Sequence, residues 1–264
     1  MPAQVNYSEC STQARDRGIS YGFLAWLFLE HPDREFLERM LSAEPASWAL
    51  SVGEGEVSPS ILAGLEAMRA SLSSRPGQST EGLCRELAVQ RTRLFRGVAP
   101  GYGPPPPYET LYRDPEGAGE AEVMLQLRRF YREAGAQLPP DQGERLDYLG
   151  LELDLMRLLC EEESLLWGED DRQGVARARG IQEELLTRHL LAWAPRFCQV
   201  ILKEPGVPFY HGVAALLSAF LKEEATLFIT TDKPRRHGEH GDSSNCQAQC
   251  PPCLRGEFLR FEQS

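Results

Sequence analysis

Apolar residues recur at helical spacing along much of the chain. Leu146, Leu149, Leu153, Met156 and Cys160 follow one another in steps of 3, 4, 3 and 4 residues, which is the spacing of one buried helical stripe. Leucine, which favours helices, occurs 36 times, whereas the strand-favouring valine and isoleucine together occur 15 times. The pattern predicts an all-α protein without strand ladders. Three further stripes have the same spacing: Leu83, Leu87, Gln90 and Leu94; Val123, Leu127, Phe130 and Ala134; and Phe209, Val213, Leu216, Phe220 and Glu224.

Proline residues and capping signals predict where individual helices begin and end. A first helix is expected over residues 12–30, because the residue before the following proline resists the helical conformation. Asp141 resembles the start of a capping box and is expected to open the helix that carries Leu146. A long helical segment is expected over residues 171–202, with an interruption near Pro195.

The composition divides the chain into one domain and a tail. Residues 8–230 are predicted to form a single globular multi-helix domain. Residues 231–264 are polar and lack clear periodicity, so they are predicted to form an irregular C-terminal tail. Within the domain, Gly101–Pro107 contains four consecutive prolines, which predicts an extended loop.

The chain is acidic, with 28 Lys and Arg against 39 Asp and Glu and a formal net charge of −11. Such a surface repels phosphate backbones, so general nucleic-acid binding is not expected. The apolar stretches are shorter than the roughly 20 residues of a membrane helix, and the N-terminus lacks the pattern of a secretory signal. We therefore expect a cytoplasmic protein without stable membrane insertion.

Motifs for known catalytic chemistry are absent from the sequence. It contains no phosphate-binding loop, dinucleotide fingerprint, serine elbow or zinc-protease helix. Carboxylates such as Glu152 and Asp154 are plentiful, but on an acidic helical protein they are more often solvated than paired for acid–base catalysis. We therefore expect a binding protein and not an enzyme.

Three cysteines, Cys246, Cys250 and Cys253, crowd together near the C-terminus, whereas the other four are scattered. Thiolates at this density suit zinc or a 4Fe-4S cluster. A closed site needs a fourth ligand, for which His240 and His237 are nearest in sequence, with a partner's residue or water as alternatives. Exposed thiols without a metal are the competing interpretation. A metal-binding redox or electron-transfer protein centred on these cysteines is therefore the alternative function.

Three segments of the domain form an ordered set of motifs. The first is LFRG at residues 94–97 with PPPPYETLY at residues 104–112. The second is ERLDYLGLELDLM at residues 144–156, and the third is HLLAWAPRF at residues 189–197 followed by PFY at residues 208–210. The set resembles the TorD/DmsD/NarJ family of cytoplasmic chaperones for molybdoenzymes. In the second segment the chain has Leu-Asp-Tyr where the family has Pro-Asp-His, so it keeps the aspartate and lacks the histidine.

The resemblance implies a helical chaperone for the catalytic subunit of a molybdopterin-containing oxidoreductase. Such a chaperone binds the twin-arginine signal, or an equivalent N-terminal segment, and delays export until the cofactor is inserted. Carboxylates that bind arginines and aromatic rings that bind an apolar stretch are the candidate site residues. Those near the matched motifs are Tyr108, Glu109, Asp147, Tyr148, Glu152, Trp193, Phe209 and Tyr210.

The candidates also have purely structural interpretations, which the sequence leaves open. Trp193 and Phe209 would fill the helix-packing core, and Asp147 would lie in the first turn of its helix. Glu152 would be solvated, and His189 would be a helix-end residue. The functional hypothesis is a partly apolar groove with an acidic rim, closed by the proline loop and the Asp147 turn. A plain helical scaffold that binds another kind of protein is a third possibility.

Overall fold

A computed structural model describes residues 7–43, 58–74, 77–97, 101–113, 119–136 and 145–231. These residues are mostly helical, and the β-pairing among them is an isolated bridge between Tyr108 and Tyr148, so the predicted all-α class is confirmed. The helices are α1 (Tyr7–Leu29), α2 (Arg34–Ser42), α3 (Pro59–Ser73), α4 (Thr80–Phe95), α5 (Glu109–Arg113), α6 (Glu120–Glu133), α7 (Leu149–Gly168), α8 (Arg172–Leu185), α9 (Leu191–Ile201) and α10 (Pro208–Thr231).

The predicted C-terminal tail lies almost wholly outside the described residues, which end at residue 231. The boundary between a domain of residues 8–230 and a tail of residues 231–264 therefore stays a prediction. The same holds for the proposed metal ligands Cys246, Cys250, Cys253 and His240.

Helix α7 packs along α1 and also contacts α8. The predicted stripe of Leu149, Leu153, Met156 and Cys160 is completely buried. Gly18 of α1 permits a close approach, because a Cβ atom there would lie 3.3 Å from the Cβ atom of Cys160. Burial of this apolar stripe supplies much of the driving force that holds the two helices together.

Helices α3 and α10 form a second close pair, and glycine lies on both sides of the contact. A Cβ atom on Gly64 of α3 would lie 2.8 Å from the backbone nitrogen of Leu216. A Cβ atom on Gly212 of α10 would lie 2.6 Å from the backbone nitrogen of Met68. The two backbones therefore approach as closely as they do only because both side chains are absent.

Helix α7 begins later than the sequence predicts. Leu146 and Asp147 precede its N-cap residue Tyr148, and the expected start at Asp141 lies outside the described residues. Asp147 is therefore not in a first helical turn. Its backbone carbonyl instead accepts a hydrogen bond from the Glu109 amide at 2.8 Å, as part of the bridge between the two segments.

The interruption in the segment of residues 171–202 is a π turn, Leu186–Leu190, and the prediction of a break near Pro195 was wrong. Pro195 lies inside α9. Proline has no backbone N–H, so Pro195 cannot donate a hydrogen bond to the carbonyl of Leu191. The wide π turn ends at Leu190, directly before Leu191. The turn holds His189 in the interior, fully buried.

A buried ionic network joins α1 to α7 and α10. The Arg17 guanidinium donates to both carboxylate oxygens of Glu224, at 3.0 Å from Nε and 2.7 Å from Nη2. Its Nη1 donates to Glu163 at 3.2 Å, and the Tyr21 hydroxyl donates to Glu224 at 3.1 Å. Because the arginine and both carboxylates are buried, each needs the others to offset its lost hydration.

Candidate functional site

The isolated bridge brings two of the sequence motifs into contact. Around Tyr108 and Tyr148, the Leu149 amide donates to the Pro107 carbonyl at 2.9 Å, while the Glu109 amide donates to the segment before α7. The two tyrosine rings lie 5.4 Å apart, and the Tyr148 hydroxyl donates to the carbonyl of Phe28 at 2.7 Å. The proline loop is thereby fixed to the start of α7 and to the end of α1.

The proline loop also packs tightly against α4 and α5. A Cβ atom on Gly103 would collide with the carbonyl oxygen of Arg93, so the loop crosses α4 where only glycine fits. The Tyr112 hydroxyl donates to the carbonyl of Pro105. Tyr102 of the loop and Leu111 of α5 remain exposed, at 54% and 40% of their surface. Together with the exposed Pro105, these side chains present apolar groups to solvent.

Asp147 is completely buried, and four donor atoms hold its carboxylate. Oδ2 accepts from the Thr110 hydroxyl at 2.7 Å and from the Thr110 amide at 3.3 Å. Arg145 donates from Nε to Oδ1 at 3.0 Å and from Nη2 to Oδ2 at 3.2 Å. The same guanidinium pairs with Glu120 of α6 at 2.7 Å and lies over the Tyr108 ring, 5.6 Å from its centroid.

Glu109, the first residue of α5, is also completely buried. One of its oxygens lies 2.7 Å from Nδ1 of His189, and the other accepts from Arg113 at 2.6 Å. The Nε2 atom of His189 is buried without a hydrogen-bond partner among the described residues. The sequence predicts His189 as a helix-end residue, and in the structure the π turn directs its ring to this carboxylate.

Glu152 is the third buried carboxylate, and the interpretation of Glu152 as a solvated side chain was wrong. Its Oε2 accepts from the Trp193 indole at 3.3 Å, while Oε1 is buried without a partner among the described residues. Burial raises the pKa of Glu152 well above its ordinary value, and the nearby negative charge of Glu109 raises that pKa further. The side chain is therefore held toward its neutral, protonated form.

Glu109, Asp147 and Glu152 together form what we call the carboxylate cluster. All three have no exposed surface, so they lie beneath the surface and do not form the open acidic rim of the predicted groove. Arg113 and Arg145 reach solvent beside them, at 39% and 42% exposure, and Glu120, which pairs with Arg145, is 50% exposed. Each of these arginines covers one carboxylate of the cluster.

Phe209 and Tyr210, two of the predicted site residues, lie elsewhere in the core. The Phe209 ring packs against Phe36 with centroids 6.3 Å apart, and the Tyr210 hydroxyl donates to the carbonyl of Leu87 at 3.0 Å. Trp193 is buried as well, but it touches the carboxylate cluster through Glu152. The structure thus groups six of the predicted residues: Tyr108, Glu109, Asp147, Tyr148, Glu152 and Trp193.

Thr110, Arg145 and His189 belong to this group and were not among the predicted residues. Arg145 and Thr110 stand two residues and one residue away from candidates, and His189 opens the third matched segment. Their positions within the matched motifs could therefore have marked them as candidates. Only the structure shows that Thr110 and Arg145 contact Asp147 and that His189 contacts Glu109.

The described residues contain no group of three or more His, Cys, Asp and Glu side chains arranged to hold a metal ion. None of the described helices is long and apolar enough to cross a membrane. The cysteine cluster lies outside these residues, so its metal ligands stay a prediction.

Comparison with known proteins places the motifs in a family. Residues 58–199, more than half of the 264-residue chain, match the family described as "Nitrate reductase delta subunit". The chain is 33% identical over 138 residues to the "Tat proofreading chaperone DmsD" of Salmonella typhi, covering 52% of this chain and 60% of that protein. It is 25% identical over 216 residues to the "Chaperone protein TorD" of Aliivibrio fischeri, covering 81% of this chain and 95% of that one. The chain therefore belongs to the TorD/DmsD/NarJ family.

Proposed function

We propose that the protein is a system-specific chaperone that assists maturation of a molybdopterin-containing oxidoreductase. It binds the N-terminal, twin-arginine-type segment of the catalytic subunit, or the apo subunit itself, and delays export until the cofactor is in place. This function involves binding without covalent chemistry. It is carried out in the cytoplasm, where the client is made.

The observation that carries this proposal is the carboxylate cluster beneath an apolar and arginine-bearing surface. Tyr102 and Leu111 supply exposed apolar area, while Glu109 and Asp147 lie directly below the exposed arginines. A basic, amphiphilic segment suits this region if its apolar residues pack on Tyr102 and Leu111 and its arginines take the place of Arg113 and Arg145 on the buried carboxylates. The net charge of −11 adds long-range attraction.

The names of the relatives support the same conclusion. Both the DmsD and the TorD relatives are named as chaperones, and the DmsD name specifies proofreading of the Tat route. The matched residues 58–199 include all three carboxylates of the cluster and Trp193. The family match therefore covers the region in which we place client binding.

Capture from cells tests the proposal. The tagged full-length chain is expressed in cells grown anaerobically, and bound proteins are identified by mass spectrometry. We expect the catalytic subunit of a molybdopterin oxidoreductase to be enriched with its N-terminal segment intact. Enrichment of unrelated proteins without any molybdoenzyme subunit would favour the plain helical scaffold that binds another kind of protein.

A double variant, Tyr102→Ser with Leu111→Ser, is expected to reduce capture. Leu165→Ser, at an exposed site on α7, serves as its control.

A second role for the C-terminal tail stays a separate proposal. The spacing of Cys246, Cys250 and Cys253 favours zinc or a 4Fe-4S cluster, with His240 as a fourth ligand. On a chaperone, such a metal would order a tail that has few apolar residues of its own.

A further inference from the structure

The Arg145 side chain binds Asp147 as an arginine from another chain would bind it. Two of its nitrogens, Nε and Nη2, donate to the two different oxygens of one carboxylate, at 3.0 Å and 3.2 Å. This fork is the strongest and most specific geometry between a guanidinium and a carboxylate. A lysine ammonium, which is a point charge, cannot reproduce it.

The surroundings of the fork also suit a guanidinium. Nη2 of Arg145 lies 3.1 Å from the Thr110 hydroxyl oxygen and 2.7 Å from a Glu120 carboxylate oxygen. The guanidinium carbon lies 5.6 Å from the centroid of the Tyr108 ring, within the range of a cation–π interaction. Together these groups make up what we call the Asp147 site: Tyr108, Thr110, Glu120 and Asp147.

The two sides of this contact differ in how firmly the fold holds them. The Asp147 side chain has no exposed surface and is fixed by Thr110 and by the bridge. Arg145 is 42% exposed and precedes helix α7. By contrast, the buried Arg17 is only 8% exposed and lies between two carboxylates that are also buried. Arg145 is thus the replaceable member of its pair, because its side chain can rotate into solvent without opening the core.

We propose that the Asp147 site is a guanidinium-binding site, which Arg145 occupies in the free protein and an arginine of the client takes by displacing Arg145. This inference rests on the proposed function, and it identifies Arg145 as the residue that competes with the client for Asp147. In the free protein, Arg145 compensates the buried charge of Asp147, which would otherwise be costly. In the complex, the client must replace existing interactions, so net affinity stays moderate and release remains possible.

The first test uses full-length Arg145→Ala and the probe N-acetyl-arginine amide in thermal denaturation. The variant leaves Asp147 without its cation, so it should melt lower than the wild type, and the probe should raise its melting temperature saturably by roughly 3 °C. The wild type, whose site is filled, should respond much less. N-acetyl-lysine amide should be a weaker ligand because it cannot form the fork.

Two further variants make this result specific. Arg145→Ala combined with Asp147→Asn should lose the response to the probe, because the carboxylate is gone. Arg188→Ala removes another exposed arginine, which pairs with Glu184 on the surface of the protein, and should not create a response. Should Arg145→Ala fail to fold, Arg145→Gln keeps much of the side chain's packing while removing the charge. An equal response to arginine and lysine probes, or a response that survives Asp147→Asn, would overturn the proposal.

The second test measures binding of a synthetic peptide, with two adjacent arginines followed by an apolar stretch, to the same variants. Arg145→Ala should bind the peptide about tenfold more tightly than the wild type, the equivalent of one charge-assisted hydrogen bond. A peptide with its arginines replaced by glutamine should show no such gain. Equal or weaker binding of the arginine peptide by Arg145→Ala would overturn the displacement.

The arginine probe and the capture of proteins from cells together separate failure of this inference from failure of the proposed function. If no molybdoenzyme subunit is captured but the arginine probe stabilises Arg145→Ala, the guanidinium-binding site stands and the proposed client is wrong. If the subunit is captured but the probe has no arginine-specific effect, the client stands and the inference fails.

Discussion

The Nδ1 atom of His189 lies 2.7 Å from a carboxylate oxygen of Glu109, and neither side chain has any exposed surface. This contact joins the short helix α5 to the π turn between α8 and α9. It anchors the segment that carries Thr110 and Tyr112, and so it fixes one side of the candidate site. The pair therefore links the stability of the fold to the geometry of the site.

A double-mutant cycle on this pair should reveal strong coupling. Glu109→Leu and His189→Leu should each destabilise the protein by about 3 kcal/mol, because each leaves its buried polar partner without this hydrogen bond. Together they should cost less than the sum, with a coupling energy of about 2 kcal/mol, measured by chemical denaturation. The exposed pair Arg129 and Glu133, 3.7 Å apart, is the control and should give less than about 0.5 kcal/mol. Additive effects at the buried pair would contradict the assigned contact.

Glu152→Gln should make the protein more stable at neutral pH. Burial raises the pKa of Glu152 above its ordinary value of 4.5, so the folded state holds a proton that the unfolded state releases. Stability should fall as pH rises from about 4.5 toward the raised pKa of the folded state, and glutamine removes this loss. The gain should be present at pH 7 and should shrink as the pH falls toward 4.5, where the unfolded state also holds the proton.

Chemical denaturation from pH 5 to pH 8 measures this effect. Glu162→Gln is the matched control on the same helix, because Glu162 is paired with Arg177 at the surface and is 28% exposed. The control should keep the wild-type slope of stability against pH. The assigned role of Glu152 would be contradicted if Glu152→Gln kept the same slope.

Two glycine variants test the packing of α3 against α10. Gly64→Ala places a methyl group 2.8 Å from the backbone of Leu216, so it should destabilise the protein by about 2 kcal/mol. Gly180→Ala adds a methyl group inside α8 where no atom lies within 4 Å, so it should stabilise the protein by about 0.5 to 1 kcal/mol. Thermal unfolding compares them directly. Equal shifts in both variants would show that α3 and α10 are not in close contact.

The cysteine tail is predicted to bind one metal ion or cluster per chain. Purification without chelators, followed by metal analysis and an absorbance spectrum, distinguishes colourless zinc from a coloured iron–sulfur cluster. Cys250→Ser should lose the metal, whereas Cys84→Ser in α4 should retain it. A metal-free tail whose thiols all react freely would favour the competing interpretation of exposed cysteines.

The sequence predicts the parts of the fold that depend on local spacing. The stripe from Leu149 to Cys160 is buried as expected, because period and apolarity together determine which face of a helix is covered. The all-α class follows from the same helical spacing of apolar residues. The irregular start of α7 could not be predicted in this way, because it depends on a bridge to Glu109, which lies far away along the chain.

The local spacing of residues could not predict which polar side chains are buried. Glu152 stands beside the apolar stripe of α7, and residues distant in sequence, among them Trp193 on α9, cover it. Asp147 is similar, since its burial depends on Thr110 from the proline-loop motif. Sequence motifs named both residues as candidates, but long-range packing decides whether a carboxylate faces solvent or the core.

The most direct test of the account is to compare capture of the client subunit with and without its N-terminal segment. The full-length chain, tagged and expressed anaerobically, is mixed with the cofactor-free precursor and with the same subunit truncated at its N-terminus. We predict that the precursor is retained and that truncation greatly weakens retention, with binding of the precursor reduced at high salt. Equal retention of both forms, or retention of neither, would contradict the claim that this protein binds the N-terminal segment of an immature molybdoenzyme.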